Sequence, residues 1–145
     1  KKPSNIYGKY KLKSENYIKK YLKNFLILRV FNIYGPNQPK GYFFSDIQEK
    51  IKNKQEILIN NSYRDFIHVN EVSRFINFSL KKDLRGILNL GSGKSFNLQK
   101  IIMMLSNKLK IPCKITKYNK TDKIVSSNKL IKNIGYKIKN ENINI

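Results

Sequence analysis

The chain has 145 residues, 40% of them hydrophobic and 27% charged, with 30 Lys and Arg against 9 Asp and Glu for a net charge of +21. That length supports one modest core rather than two. No apolar run approaches the roughly 20 residues of a bilayer-spanning helix, so no helical membrane anchor is expected within it. A lone cysteine, Cys113 in "IPCKITKY", cannot form an internal disulfide, and no apolar leader segment opens the sequence. Cys113 reads as a buried small hydrophobe, and a reducing cytoplasm is the expected compartment.

In chain order, residues 5–24 carry Ile6, Tyr10, Tyr17, Ile18, Tyr21 and Leu22 near the helical period, with Pro3 and Ser4 as starting signals. This predicts one long helix. It runs into "FLILRVF" (25–31), an apolar run of strand length that suggests a strand covered on both faces of a parallel sheet. "NIYGPNQPKG" breaks structure with two Pro and two Gly. A helix over 43–54, a short strand "EILI" (56–59) and a polar link "NNSY" follow. "RDFIHV" (64–69) then leads to a helix from Asn70, a good N-cap residue, to about Leu80. "GILNL" (86–90) reads as a strand, "GSGKS" as a glycine turn before a helix over 97–109, "CKITKY" as a strand, and "SSNKLIKNIG" as a short helix ending at Gly135. Strands alternating with helices indicate an α/β protein. "FLILRVF" has few candidate neighbours in this chain, so its edges are expected to lack partners.

The +21 charge is compatible with attraction to nucleic acid or other anions. The lysines are scattered rather than blocked, however, and occur with abundant Asn and Ile, a composition that an AT-rich genome favours. A basic nucleic-acid-binding module is therefore the weaker reading, and an anionic small ligand stays open.

Tyr7 and Lys11, four apart, share a helical face. An ammonium beside a phenol favours the phenolate and brings proton transfer nearer neutral pH. An ordinary amphipathic helix yields the same spacing, as Tyr17 and Tyr21 show. "GSGKS" lacks the G-x-x-x-x-G-K-[ST] spacing of a phosphate loop.

The order of "PSNIYGKYKLKSE", "LRVFNIYGPNQ", "YRDFIHVNEVSRFI", "ILNLGSGKSFNL" and "KLIKNIGYKIK" resembles the C-terminal part of the NAD-dependent epimerase/dehydratase family, extended short-chain dehydrogenases/reductases acting on nucleotide-sugars. The resemblance implies an incomplete Rossmann-like cofactor sheet with a small substrate-binding domain. Residues 1–35 would end the dinucleotide-binding domain, and 36–145 would mainly bind the nucleotide-sugar. It implies that Tyr7 exchanges a proton with a sugar hydroxyl, that Lys11 holds the nicotinamide ribose, and that Phe31 lies beside the nicotinamide of NAD or NADP. Asn32 would contact substrate near its phosphates, and Arg64 the pyrophosphate of a nucleotide-diphosphate sugar, unless Arg64 is spent on Asp65 or another acid. Tyr42 and Phe43 would lie against nucleotide or sugar, and Phe31 could equally be strand packing. Asp65 and His68 are expected to be structural, and "NLGSG" a structural turn. Relatives often dimerise through the Tyr-Lys helix, so Tyr17 and Tyr21 would join such an interface.

The chain departs from the family in several places. It carries no G-x-x-G-x-x-G turn and no acidic residue after a second strand, and the Ser or Thr that assists the tyrosine is absent. The stretch between Ile57 and Arg64 is shorter than usual and lacks glycines, and the sequence stops soon after Tyr136. The expectation is the C-terminal portion of such an enzyme, binding NAD poorly, inactive and prone to aggregate by itself. A non-catalytic remnant or binding domain of the same family is the alternative.

Overall fold

The computed structural model of the chain describes residues 3–139 and Ile143. Residues 1–2, 140–142 and 144–145, at the outer ends of the two expected domains, lie outside the described residues. Helix α1 spans Ile6–Tyr21, shorter at both ends than the expected 5–24. Its cap is Asn5 rather than Pro3 or Ser4. The extended Asn5 backbone lets its side chain accept from the Gly8 N–H at 2.7 Å, satisfying one of the free amides of the first turn. Leu22 returns to extended backbone and ends the helix, and no residue of α1 is buried.

Strand β1 (Leu26–Val30) does have a partner in the chain. It runs parallel to β5 (Gly86–Leu90), pairing Leu26 with Gly86 through Val30 with Leu90, and the Phe31 N–H extends the ladder to the Leu90 carbonyl at 2.9 Å. The expectation of unpaired edges is corrected to one, because among the described residues these two strands form a two-stranded sheet. β1 is also half-buried with Arg29 exposed, rather than covered on both faces. The break expected at "NIY" starts three residues later: Asn32–Tyr34 form β2, parallel to β4 (Phe66–His68).

The third sheet has the order β6-β3-β7, from Phe96–Asn97, Ile57–Arg64 and Ile115–Ile124. Here "NNSY" is strand rather than link. Pairing with the parallel β7 satisfies its polar backbone and overrides its low strand propensity. Helices α2 (Phe43–Lys52), α3 (Val69–Lys81), α4 (Leu98–Leu109) and α5 (Lys129–Asn133) complete the fold. The α3 cap is His68, whose Nδ1 accepts from the Asn70 N–H at 3.2 Å, so Asn70 is already inside the helix. Asn97 caps α4 through the Lys100 N–H. Gly135, at φ +76°, closes α5 in a left-handed conformation that suits glycine.

Packing centres on two clusters. One joins α2, α4 and β3 through Phe44, Ile51, Ile57, Ile102 and Leu105, with Cys113 partly rather than fully buried at its margin. The other joins β1 and β5 to α3 and α5 through Phe75, Leu90 and Ile131, closed by Tyr136. Fully burying each large apolar side chain contributes about 1.5–3 kcal/mol. β1 thus rests on elements from beyond residue 35. No helix among the described residues is long and apolar enough to cross a membrane.

Candidate functional site

A cavity of about 980 Å³ opens between the start of α1, the end of β1, the segment 35–42 and the end of β3. That segment is held by its own bonds: Gln38 Nε2 donates to the Ile33 carbonyl at 2.9 Å, Ser45 Oγ to the Pro39 carbonyl at 2.6 Å, and the Gly41 N–H to Asp46 at 2.7 Å. Six of the seven predicted site residues, Tyr7, Phe31, Asn32, Tyr42, Phe43 and Arg64, line this one cavity although they are dispersed over nearly sixty residues of sequence. Lys11 is outside the wall, with its ammonium over the Tyr7 ring, 5.6 Å from the centroid.

Tyr7 is 70% exposed. α1 buries no residue fully, with Leu12 and Ile18 half-buried, so polar attachment contributes to its placement. Arg29 on β1 donates a fork to Glu15, from Nε at 2.8 Å and from the terminal nitrogen at 2.5 Å. Among the described residues these are the long-range side-chain hydrogen bonds of α1, and they set the tyrosine helix against the strand that ends just before Phe31. Arg29 holds Glu15 below the usual carboxylate range, mainly by this hydrogen bond, with desolvation opposing.

Asn32 donates from Nδ2 to the Asp65 carbonyl at 2.8 Å, which ties the exit of β1 to the residue after Arg64. Phe43 stacks obliquely on Phe66 at 5.5 Å and so serves the core as well as the wall, while Tyr42 is exposed. Arg64 bonds to Asp122 at 2.6 Å and to the Tyr63 carbonyl at 2.9 Å. Its acid is Asp122, not Asp65. Asp65 is fully buried and accepts five hydrogen bonds, from the amides of Ser92, Gly93 and Ser126 and the hydroxyls of Ser92 and Ser126. The "GSGKS" turn therefore directs two of its amides inward to a carboxylate, which is the structural use the sequence suggested. His68 is likewise a cap, edge-on to Tyr34 at 5.1 Å.

Sequence reasoning missed Asp122, Ile124, Arg29 and Gln38 at or beside this site. Asp122 and Ile124 lie beyond residue 118, where the predicted strand stopped. The Gln38 side chain contributes to the wall, and its Oε1 is buried without a partner among the described residues.

The sequence model of the NAD dependent epimerase/dehydratase family matches residues 1–91. Among solved structures, the chain is similar to UDP-N-acetylglucosamine 4-epimerase from Methanobrevibacter ruminantium M1 in complex with UDP-N-acetylmuramic acid (21% identity, 91% of this chain, 46% of that one, TM-score 0.71). It is similar to Bordetella bronchiseptica WbmG in complex with NAD and UDP (18% identity, 97% and 47%, TM-score 0.80). It is also similar to the NAD dependent NDP-hexosamine 5,6-dehydratase TunA (18% identity, 98% and 51%, TM-score 0.83). At these identities the likeness establishes the fold, a Rossmann-like α/β arrangement, and the chain spans about half the length of each structure. With the family match extending over more than half of the residues, the chain belongs to the NAD dependent epimerase/dehydratase family.

Proposed function

We propose that the chain supplies the nucleotide-sugar site and the proton-transfer residue of an NAD(P)-dependent epimerase or dehydratase. The observation that carries this reading is the shared cavity, where a tyrosine able to move a proton and an arginine able to bind phosphate both line a space large enough for a sugar nucleotide. Tyr7 exchanges a proton with the sugar hydroxyl at the carbon being oxidised, and Lys11, whose ammonium lies over the Tyr7 ring, reaches the nicotinamide ribose. Arg64 and Asn32 hold the diphosphate, while Tyr42 and Phe43 bound the nucleotide or sugar.

The nicotinamide end of NAD or NADP fits what is present, a tyrosine with a lysine ammonium over its ring and a phenylalanine lining the same cavity. When bound, it supplies the hydride chemistry. The pyrophosphate end has no glycine-rich turn in these 145 residues, so turnover by them alone is not expected. Residues 1–35 then serve the cofactor side and 36–145 mainly the nucleotide-sugar side. The exposed Tyr17 and Tyr21, with rings 4.5 Å apart, suit a homodimer contact, and a reducing cytoplasm suits Cys113.

The test is conversion of uridine, thymidine and guanosine diphosphate-hexoses by the native protein carrying these residues, with either cofactor. Tyr7→Phe should lower kcat by about 10³-fold with little change in KM. An unchanged kcat removes Tyr7 from the chemistry. Absence of any conversion by the unaltered protein favours the non-catalytic binding domain, the reading that the high exposure of Tyr7 would then explain.

A further inference from the structure

Arg64 does not stand alone at the cavity wall, and the way it is held rests on an irregularity in the β3–β7 pairing. From Ile57 to Asn60 the strands pair in step with Ile115 to Tyr118, but Asn61 then lies opposite Thr121 rather than residue 119. β7 therefore carries two extra residues at this point. Were the pairing to continue in step, Ser62 would face Lys120. With the shift it faces Asp122, and Arg64 faces Ile124. An offset of two preserves the alternation of faces, so Ser62, Arg64, Asp122 and Ile124 stay on one side of the sheet. The bulge thus replaces a like charge beside Arg64 with one of the nine acidic residues of a chain with thirty basic ones. Asp122 accepts from Arg64 and also from the Ser62 hydroxyl.

We propose that Asp122 is a positioning residue for nucleotide-diphosphate binding: with Ser62 and the Tyr63 carbonyl it fixes the Arg64 fork so that its unspent donors meet the diphosphate. A guanidinium carries five N–H donors. Two are occupied, by Tyr63 and Asp122, which leaves three on a group whose side chain is still about a quarter exposed and lines the cavity. Because Arg64 and Asp122 are together neutral, recognition here depends on directed donors more than on net charge. The inference rests on the nucleotide-sugar reading.

UDP binding to the full chain, measured by titration calorimetry, tests it. Asp122→Ala should weaken UDP by about tenfold, the worth of one charge-assisted hydrogen-bond arrangement. Asp122→Asn keeps an acceptor for Arg64 and should stay within about threefold of the unaltered chain. In an Arg64→Ala background, Asp122→Ala should change nothing further. If Asp122→Ala binds UDP as well as or better than the unaltered chain, the carboxylate merely opposes anions and the positioning role is overturned. If it weakens UDP equally without Arg64, its role is structural and the proposal also falls. Should Asp122→Ala not fold, Arg64→Lys keeps the charge and loses the fork, and the same tenfold loss is expected; undiminished affinity overturns the proposal. Absence of saturable UDP binding by the unaltered chain is a different failure, that of the nucleotide-sugar reading itself.

Discussion

Asp65 shows how one residue can serve a site without entering it. It follows Arg64 directly, yet its carboxylate points into the interior and gathers the turn after β5 and the segment before α5 through five hydrogen bonds. Its backbone carbonyl meanwhile receives Asn32. Asp65→Ala would leave those donors buried and unsatisfied, at a cost of about 3 kcal/mol or more. Gly91→Ala should destabilise by a similar mechanism, since a Cβ there would sit 2.5 Å from Ser126 Oγ and 2.6 Å from Asp65 Oδ2. Denaturant melts of both variants check this. A loss below about 0.5 kcal/mol in either would mean that the turn relaxes at little cost.

At the scale of elements, the weak point is the seating of α1. A helix with no fully buried residue, only Leu12 and Ile18 half-buried among its apolar side chains, draws on Glu15 and Arg29 to stay against β1. The Arg29 side chain is 49% exposed, so the pair contributes modestly, about 0.5–1 kcal/mol. Glu15 is held below its ordinary value, so this stabilisation is complete above the unfolded pKa of about 4.3 and is lost as pH falls through the lower folded value. Glu15→Gln should therefore melt below the unaltered chain at neutral pH and level with it near pH 3. A gap that persists near pH 3 would show that packing, not ionisation, holds the helix.

Element by element, the sequence announced α2, α4 and β5 well because their apolar spacing or runs suffice locally. It announced only the start of β7, in "CKITKY", because the continuation "NKTDKI" is too rich in lysine and other polar residues to read as a strand until β3 lies beside it. Asp122 was hidden for the same reason. Tyr7, Phe31, Asn32 and Arg64 were legible because each sits in an ordered motif, but that they surround one cavity emerges only from the tertiary fold.

For the whole molecule, the question is what the +21 charge does. Scattered lysines attract any polyanion, and that attraction decays with salt because it is long-ranged and exposed. The cavity offers something different: two arginines, each paired with a carboxylate, Arg64 with Asp122 and Arg29 with Glu15, among aromatic walls. A diphosphate held there owes its affinity to donors at fixed positions and to burial, both less sensitive to screening. The two behaviours separate cleanly in a single experiment. The measurement to make is calorimetric titration of the chain with UDP and, in parallel, with inorganic pyrophosphate, at about 0.05 M and about 0.5 M salt. We expect UDP to saturate one site and lose less than about tenfold in affinity at high salt, while pyrophosphate binding largely disappears. Equal responses to both anions, vanishing together as salt rises, would contradict a nucleotide-sugar site in this cavity.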